Sequence, residues 1–118
     1  MSNWMFNRNG RPVVIYDGTN IRDSRGRLIS WISGSNVYSL SGRHIGWFEN
    51  GVVYDNRNRA LVFLSNATGY LPSRPGLAGA PGLPGLSGVP GRPGFSGSPG
   101  RPGFSGWSNE EPLAYLSR

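Results

Sequence analysis

Between residues 4 and 67 the apolar positions recur every sixteen residues, without a gap, over four copies. Met5, Ile21, Val37 and Val53 share one position of the repeat. Val13, Ile29, Ile45 and Leu61 share a second, and Ile15, Trp31, Trp47 and Phe63 a third. Side chains two apart on a strand face the same way, so these twelve apolar residues are the predicted core. The positions between them are mixed, with Ser30 and Gly46 at one and Arg22 and Tyr38 at another. Polar turns punctuate the pattern. The first turn of each copy reads Asn7-Arg-Asn-Gly10-Arg11, Asp23-Ser-Arg-Gly26-Arg27, Ser39-Leu-Ser-Gly42-Arg43 and Asp55-Asn-Arg-Asn58-Arg59. The second falls at Asp17-Gly18, Ser33-Gly34, Asn50-Gly51 and Ser65-Asn66. An Asn, Asp or Ser can cap such a turn through its side chain, and Gly or Asn tolerates the left-handed backbone that closes it. The segments between turns, about 4–7 residues each, are strand-sized and too short for helices. The expected fold is all-β: eight antiparallel strands in up-and-down order, one hairpin per unit (4–19, 20–35, 36–51, 52–67). Closing them into a pseudo-fourfold shallow barrel would remove the sheet edges.

The pattern changes after residue 69. Residues 70–75 read as a linker, and glycine then takes every third position from Gly76 to Gly106. Residues 79–87, 88–96 and 97–105 are three copies of a nine-residue unit. A period of three matches polyproline II, with glycine on one edge, a mostly apolar edge, and a Pro/Ser/Ala edge. Leu77, Leu83, Leu86, Val89, Phe95, Phe104 and Trp107 mark the apolar edge as the packing edge. At ~3.1 Å per residue the tail would span ~96 Å beside a head of ~28 Å, so it must project, fold back or join other chains. Three forms stay open: a collagen-like triple helix, a polyproline II strand packed on protein, and disorder. In either packed form a side chain at Gly91 is expected to hold neighbouring backbones apart, whereas Ser87 and Ser96 are expected to tolerate alanine. Residues 107–118 form a separate C-terminal segment.

The tandem of Asp-x-x-Gly-Arg-x-Ile-x-Trp-Ile hairpins resembles the 4-fold β-flower family, similar by fold to tubby-like domains, some of which bind phosphoinositides. The resemblance implies a shallow four-petalled barrel followed by a proline-rich, period-three tail that ends near a Trp-Ser motif. Residues 4–69 follow the repeat plan, and Trp107-Ser108-Asn109-Glu110-Glu111 resembles the tail's end. The chain departs from the family in carrying Gly-x-Pro triplets where relatives carry Pro-Pro-Ile-like ones. The resemblance is specific for fold and implies no particular activity.

Composition narrows the chemistry. Without cysteine there is no disulfide, thiol nucleophile or thiolate metal site. The one histidine, His44, sits beside a turn and reads as a surface residue. Of six acidic residues, Asp23 and Asp55 occupy positions where a turn needs an acceptor. No catalytic residue, metal or cofactor is therefore expected, and the chain reads as a non-enzyme. All twelve basic residues are arginine, and the net charge is +6. Arg11, Arg27, Arg43 and Arg59 share one repeat position and would ring one rim of a fourfold barrel. Converging guanidinium forks hold phosphate or carboxylate; solvated arginines merely maintain solubility. Phe6, Tyr38, Phe48 and Tyr54, with Arg22 and Arg57, read either as a base-stacking surface or as cross-strand pairs. Asn66-Ala67-Thr68 matches a glycosylation sequon. No apolar run approaches the roughly 18–20 residues of a membrane span, and Met1–Met5 lacks signal-peptide character, so a cytoplasmic location is the default expectation. The expected function is a structural or interaction module whose tail mediates homo-oligomerisation, as a trimer if the tail forms a triple helix. The alternative is an anionic lipid or small amphiphile held by the arginine rim or a central apolar well. Nucleic-acid binding is the third reading.

Overall fold

The computed structural model describes residues 2–118. Its strands are β1 (Asn3–Phe6), β2 (Pro12–Tyr16), β3 (Ile21–Arg22), β4 (Leu28–Ser33), β5 (Asn36–Ser39), β6 (His44–Glu49), β7 (Val52–Tyr54) and β8 (Ala60–Leu64). Each pairs antiparallel with the next, and β8 returns to β1 through Met5↔Leu64 and Phe6↔Phe63. The four expected hairpins therefore form a closed barrel, which leaves no edge strand. Hydrogen bonds explain the first turns. Asp23 Oδ1 accepts from the Arg25 and Arg27 amides, and Asp55 Oδ1 accepts from those of Arg57 and Arg59. Asn7 Oδ1 does the same for Asn9 and Arg11. The closing residues, Gly10, Gly26, Gly42 and Asn58, all have positive φ, from 62° to 93°.

The assignment of faces needs one correction. The second-row residues, Val13, Ile29, Ile45 and Leu61, are skipped by the pairing: Met5↔Val14 gives way to Phe6↔Pro12, and the same slip recurs in the other three hairpins. Each is a β-bulge, which resets the alternation of side chains. The residue after each bulge therefore belongs to the interior, as Val14 and Val62 do, packed with Met5, Ile21, Val37, Val53, Ile29, Ile45 and Leu61. Val13 is only half-buried. The third row lies on the outer wall. Ile15, Trp47 and Phe63 join Trp4, Phe6 and Tyr54 in an outer cluster, and Trp31 packs with Leu28 and Tyr38. The register keeps the third-row sites equivalent: Ile15↔Arg22, Trp31↔Tyr38, Trp47↔Tyr54 and Phe63↔Phe6.

The outer wall is buried because the tail covers it. From Leu71 to Ser105 the chain forms neither helix nor strand, yet it is tied to the head at regular intervals. The amides of Ala78, Ser87 and Ser96, nine residues apart, donate to the carbonyls of Gly10, Gly26 and Gly42, sixteen apart, at 2.8, 3.1 and 2.8 Å. The strap so formed visits the four hairpins in turn. A nine-residue unit extended at ~3.1 Å per residue measures about 28 Å, and a quarter of the perimeter of a body 38 × 36 Å across is about 29 Å. One tail unit therefore spans one petal.

Contact with the head is shared between the expected apolar edge, where Phe104 also meets Tyr54, and the Pro/Ser/Ala edge. Leu77, Leu83, Leu86, Val89 and Phe104 are exposed, while Phe95 and Trp107 pack on the barrel. The third edge, Ser87 and Ser96 included, carries main-chain bonds to the head. A Cβ built at any of the ten tail glycines from Gly76 to Gly103 meets no described atom within 4 Å. The crowded glycines are on the head: at Gly10, Gly26 and Gly42 a Cβ would collide with the carbonyls of Gly76, Gly85 and Gly94.

The fourth hairpin breaks the pattern because Asn58 stands where the others have glycine. Its side chain reaches the strap instead, donating to Pro102 O at 2.7 Å and accepting from Arg101 Nε at 2.9 Å. The strap then bends at Gly106 (φ 87°), brackets Ala60 through Gly106 O and the Ser108 amide, and enters α1 (Pro112–Leu116). Glu111 caps this helix by accepting from the Leu113 amide at 2.6 Å. Tyr115 and Leu116 belong to the barrel's interior cluster and plug it. The Tyr115 hydroxyl accepts from the Asn56 amide and donates to Ile45 O, and Ser30 Oγ donates to Leu116 O.

Candidate functional site

The first-turn rim carries the four arginines, but they are not equivalent. Arg11 and Arg43 are exposed and form no ion pair among the described residues. Arg27, with its side chain 70 % exposed, lies 3.2 Å from Asp23; Arg59, at 18 %, lies 3.5 Å from Asp55. The difference follows the turn residue, which is a carboxylate in the second and fourth hairpins and Asn7 or Ser39 in the others. Burial raises the pKa of Asp23, but the amides of Arg27 and Arg25 and the Arg27 side chain outweigh it and hold the carboxyl below its usual value. The α1 plug occupies the rim's centre, leaving a 310 Å³ groove between Asp23, Arg27, the helix residue Leu113 and Ser117 just beyond the helix. The expected central apolar well is thus filled by the chain's own Tyr115 and Leu116.

The richer site is the outer wall beneath the strap. β1 presents Trp4, whose indole N–H donates to Pro81 O at 2.9 Å. At the second hairpin Arg22 is locked to Asp17 at 2.5 Å and donates to both Gly26 O and Ser87 O. Asp17 is held below its usual pKa because the Arg22 contact and the Asn20 and Thr19 amides together outweigh its burial, the largest single effect. Arg92 of the strap lies 5.5 Å over the Trp31 ring and donates to Ile32 O. Phe95 stacks on Tyr38 at 4.1 Å with the rings 2° from parallel. Nine residues on, Arg101 lies over Trp47 and Tyr54, at 5.5 and 5.2 Å, and pairs with Glu49 at 3.2 Å. Phe104 fits between Tyr54 and Tyr70. Burial pushes the Tyr54 hydroxyl up to about 12, and it donates to Tyr70 O.

Sequence reasoning placed Phe6, Tyr38, Phe48 and Tyr54, with Arg22 and Arg57, on an outer face. Phe48 instead packs with Tyr16 against the interior cluster and Arg57 is exposed in its turn, while Phe6, Tyr38, Tyr54 and Arg22 do lie on the outer wall, buried beneath the strap. Their faces meet strap residues, not solvent, so they form no open stacking surface. His44, expected at the surface, is half-buried: its Nε2 is 3.0 Å from Asn36 Oδ1, its ring meets Tyr38 and Trp47 edge-on, and burial lowers its pKa. Trp4, Arg92 and Arg101 were not foreseen as contact residues. The signal that could have found them is the pair of periods, three copies of nine residues in the tail beside four of sixteen in the head.

The sequence model of the family described as 4-fold beta flower protein matches residues 3–116. The chain belongs to the 4-fold β-flower family. The match takes in the strap and the plug as well as the barrel, so in this β-flower all three are parts of one unit. No curated protein and no solved structure matches the chain. Among the described residues of the β-flower, no group of three His, Cys, Asp or Glu side chains is placed to hold a metal ion, and no helix is long and apolar enough to cross a membrane.

Proposed function

We propose that this β-flower is a non-enzymatic assembly module, and that its strap carries the contact between copies. One observation supports the reading: ten tail glycines have neither a crowded Cβ position nor a positive φ. Glycine in an ordered segment costs about 0.5–1 kcal/mol relative to alanine, so ten of them cost about 5–10 kcal/mol that the chain's own fold does not require. Glycine at every third position lets another backbone approach closely. Leu77, Leu83, Leu86 and Val89 stand exposed along the same segment, and burying such side chains between copies is favourable at about 1.5–3 kcal/mol each. A triple helix would require three chains and release of the strap; contact between docked straps would leave the head bonds in place.

Sedimentation of the full chain over a range of concentrations is expected to give masses that rise above 12.8 kDa. A mass of three chains, with the Ser87 and Ser96 amides exchanging freely, identifies the triple helix. Gly91→Ala should weaken assembly while leaving the dilute monomer's melting temperature unchanged. A monomer at every concentration sinks the proposal.

A second reading rests on Arg11 and Arg43, two exposed cations on one rim with no carboxylate beside them. They suit an anionic surface, as in vesicles containing phosphatidylserine. The double variant Arg11→Gln/Arg43→Gln should lose vesicle retention without loss of thermal stability. Equal retention of variant and parent, or none by the parent, removes this reading.

A further inference from the structure

The geometry points to a binding activity of the head itself: its outer wall recognises Gly-x-Pro chains, and the occupant that can replace its own strap is the strap of a second copy. This deepens the assembly reading, on which the choice of partner rests, by naming exchange of straps between heads as its mode.

The chemistry that recognises the ligand is visible because the chain's own tail occupies the site. Extended proline-rich segments are read by aromatic grooves and by donors that reach their carbonyls. The Trp4 indole supplies such a donor to Pro81 O. Trp31 and Trp47 each receive an arginine, Arg92 or Arg101, on the ring face. Tyr38 receives Phe95. The Gly26 and Gly42 carbonyls take the Ser87 and Ser96 amides. Each set of contacts lies within one nine-residue unit, and units 88–96 and 97–105 differ only at Val89 and Ser98. Nothing in these contacts requires the unit to belong to the same chain. The tether through residues 65–75 at one end and the α1 plug at the other favour the intramolecular strap, through its high effective concentration. A free segment therefore competes once the resident strap is weakened without altering the wall.

The test uses a fluorescent synthetic peptide with the sequence of residues 88–106, titrated with full-length protein and followed by anisotropy. Arg92→Ala/Arg101→Ala in the protein weakens the strap and leaves every wall residue in place. This variant should bind the unaltered peptide about ten-fold or more tighter than the parent does, because less of its wall is occupied. A peptide carrying the same two alanines should bind about ten-fold more weakly. Phe95→Ala/Phe104→Ala is a second strap-weakened protein, should the first fail to fold. The inference is overturned if a variant with intact near-ultraviolet circular dichroism binds no better than the parent, or if the alanine peptide binds equally well. Peptide binding by a protein that stays monomeric upholds wall recognition and rejects assembly. Oligomers without peptide binding reject wall recognition and leave assembly to contacts between straps.

Discussion

Gly42→Ala is expected to lower the melting temperature by about 12–15 °C and to speed chymotrypsin cleavage after Phe95, whereas Gly91→Ala changes neither in the dilute monomer. Two costs add at residue 42. Its φ is 93°, a conformation that costs an L side chain about 1–2 kcal/mol. Its new methyl would also occupy the space of the Gly94 carbonyl. Displacing the strap there breaks the Ser96–Gly42 hydrogen bond, at about 1 kcal/mol, and the Phe95–Tyr38 stack, at about 1 kcal/mol. The total is about 3–4 kcal/mol, or roughly 4 °C per kcal/mol for a chain of this size. Gly34→Ala separates the two effects. Its φ is also positive, at 61°, but its Cβ meets open space. It should cost about 1–2 kcal/mol and leave the cleavage rate unchanged. If Gly34→Ala and Gly42→Ala behave alike, the strap does not rest where the contacts place it.

Tyr115→Ala is expected to destabilise the protein by about 3–5 kcal/mol, the usual cost of deleting a buried aromatic side chain. α1 is only five residues long, too short to persist without its packing. The variant should therefore lose amide protection across Leu113–Ser117 by hydrogen exchange. Tyr115→Phe keeps the packing and removes the hydroxyl between Asn56 and Ile45, so it should cost about 1–2 kcal/mol. Glu110→Ala breaks only the exposed 3.8 Å pair with Arg118 and should be silent within about 0.5 kcal/mol. A Tyr115→Ala protein that melts with the parent would falsify the plug.

The four hairpins were legible because a turn demands particular residues. Asp23, Gly26 and Arg27 return as Asp55, Asn58 and Arg59, and the backbone at those positions leaves few alternatives. The barrel's two faces were legible for the first two rows, whose residues meet in the interior cluster, and not for the third. A bulge at Ile29 or Ile45 carries no residue signature, because a β-branched side chain suits a bulged strand as well as a regular one. The third row is core, as expected, but on the opposite face of the sheet, between the barrel and the strap. Trp31 and Trp47 are buried as expected, but by Arg92 and Arg101 from a segment more than fifty residues away. The strap's course over the head was not legible. Matching its nine-residue length to a quarter of the perimeter requires the barrel's diameter, which composition does not supply. The plug was missed because Pro112–Leu116 is too short for a helical period and Leu113, its first apolar residue, is exposed. Of the candidate rim, the shared position of the arginines was legible. The inequality of Arg11 and Arg27 follows from the turn residue, but the helix at the rim's centre does not.

A barrel dressed from outside by its own C-terminal half must also be made in that order. Every residue of the seam between β1 and β8 has been made by residue 64, while α1 ends at residue 116. At the usual rate of synthesis about 3–10 s separate the two. During that interval the residues that cover Trp31, Trp47 and Phe63 and fill the interior are still to be made. Each nine residues added supply the cover of one more petal, in the sequence Gly10, Gly26, Gly42. The period-three tail is a covering laid down by the act of translation, and the plug, arriving last, fastens it.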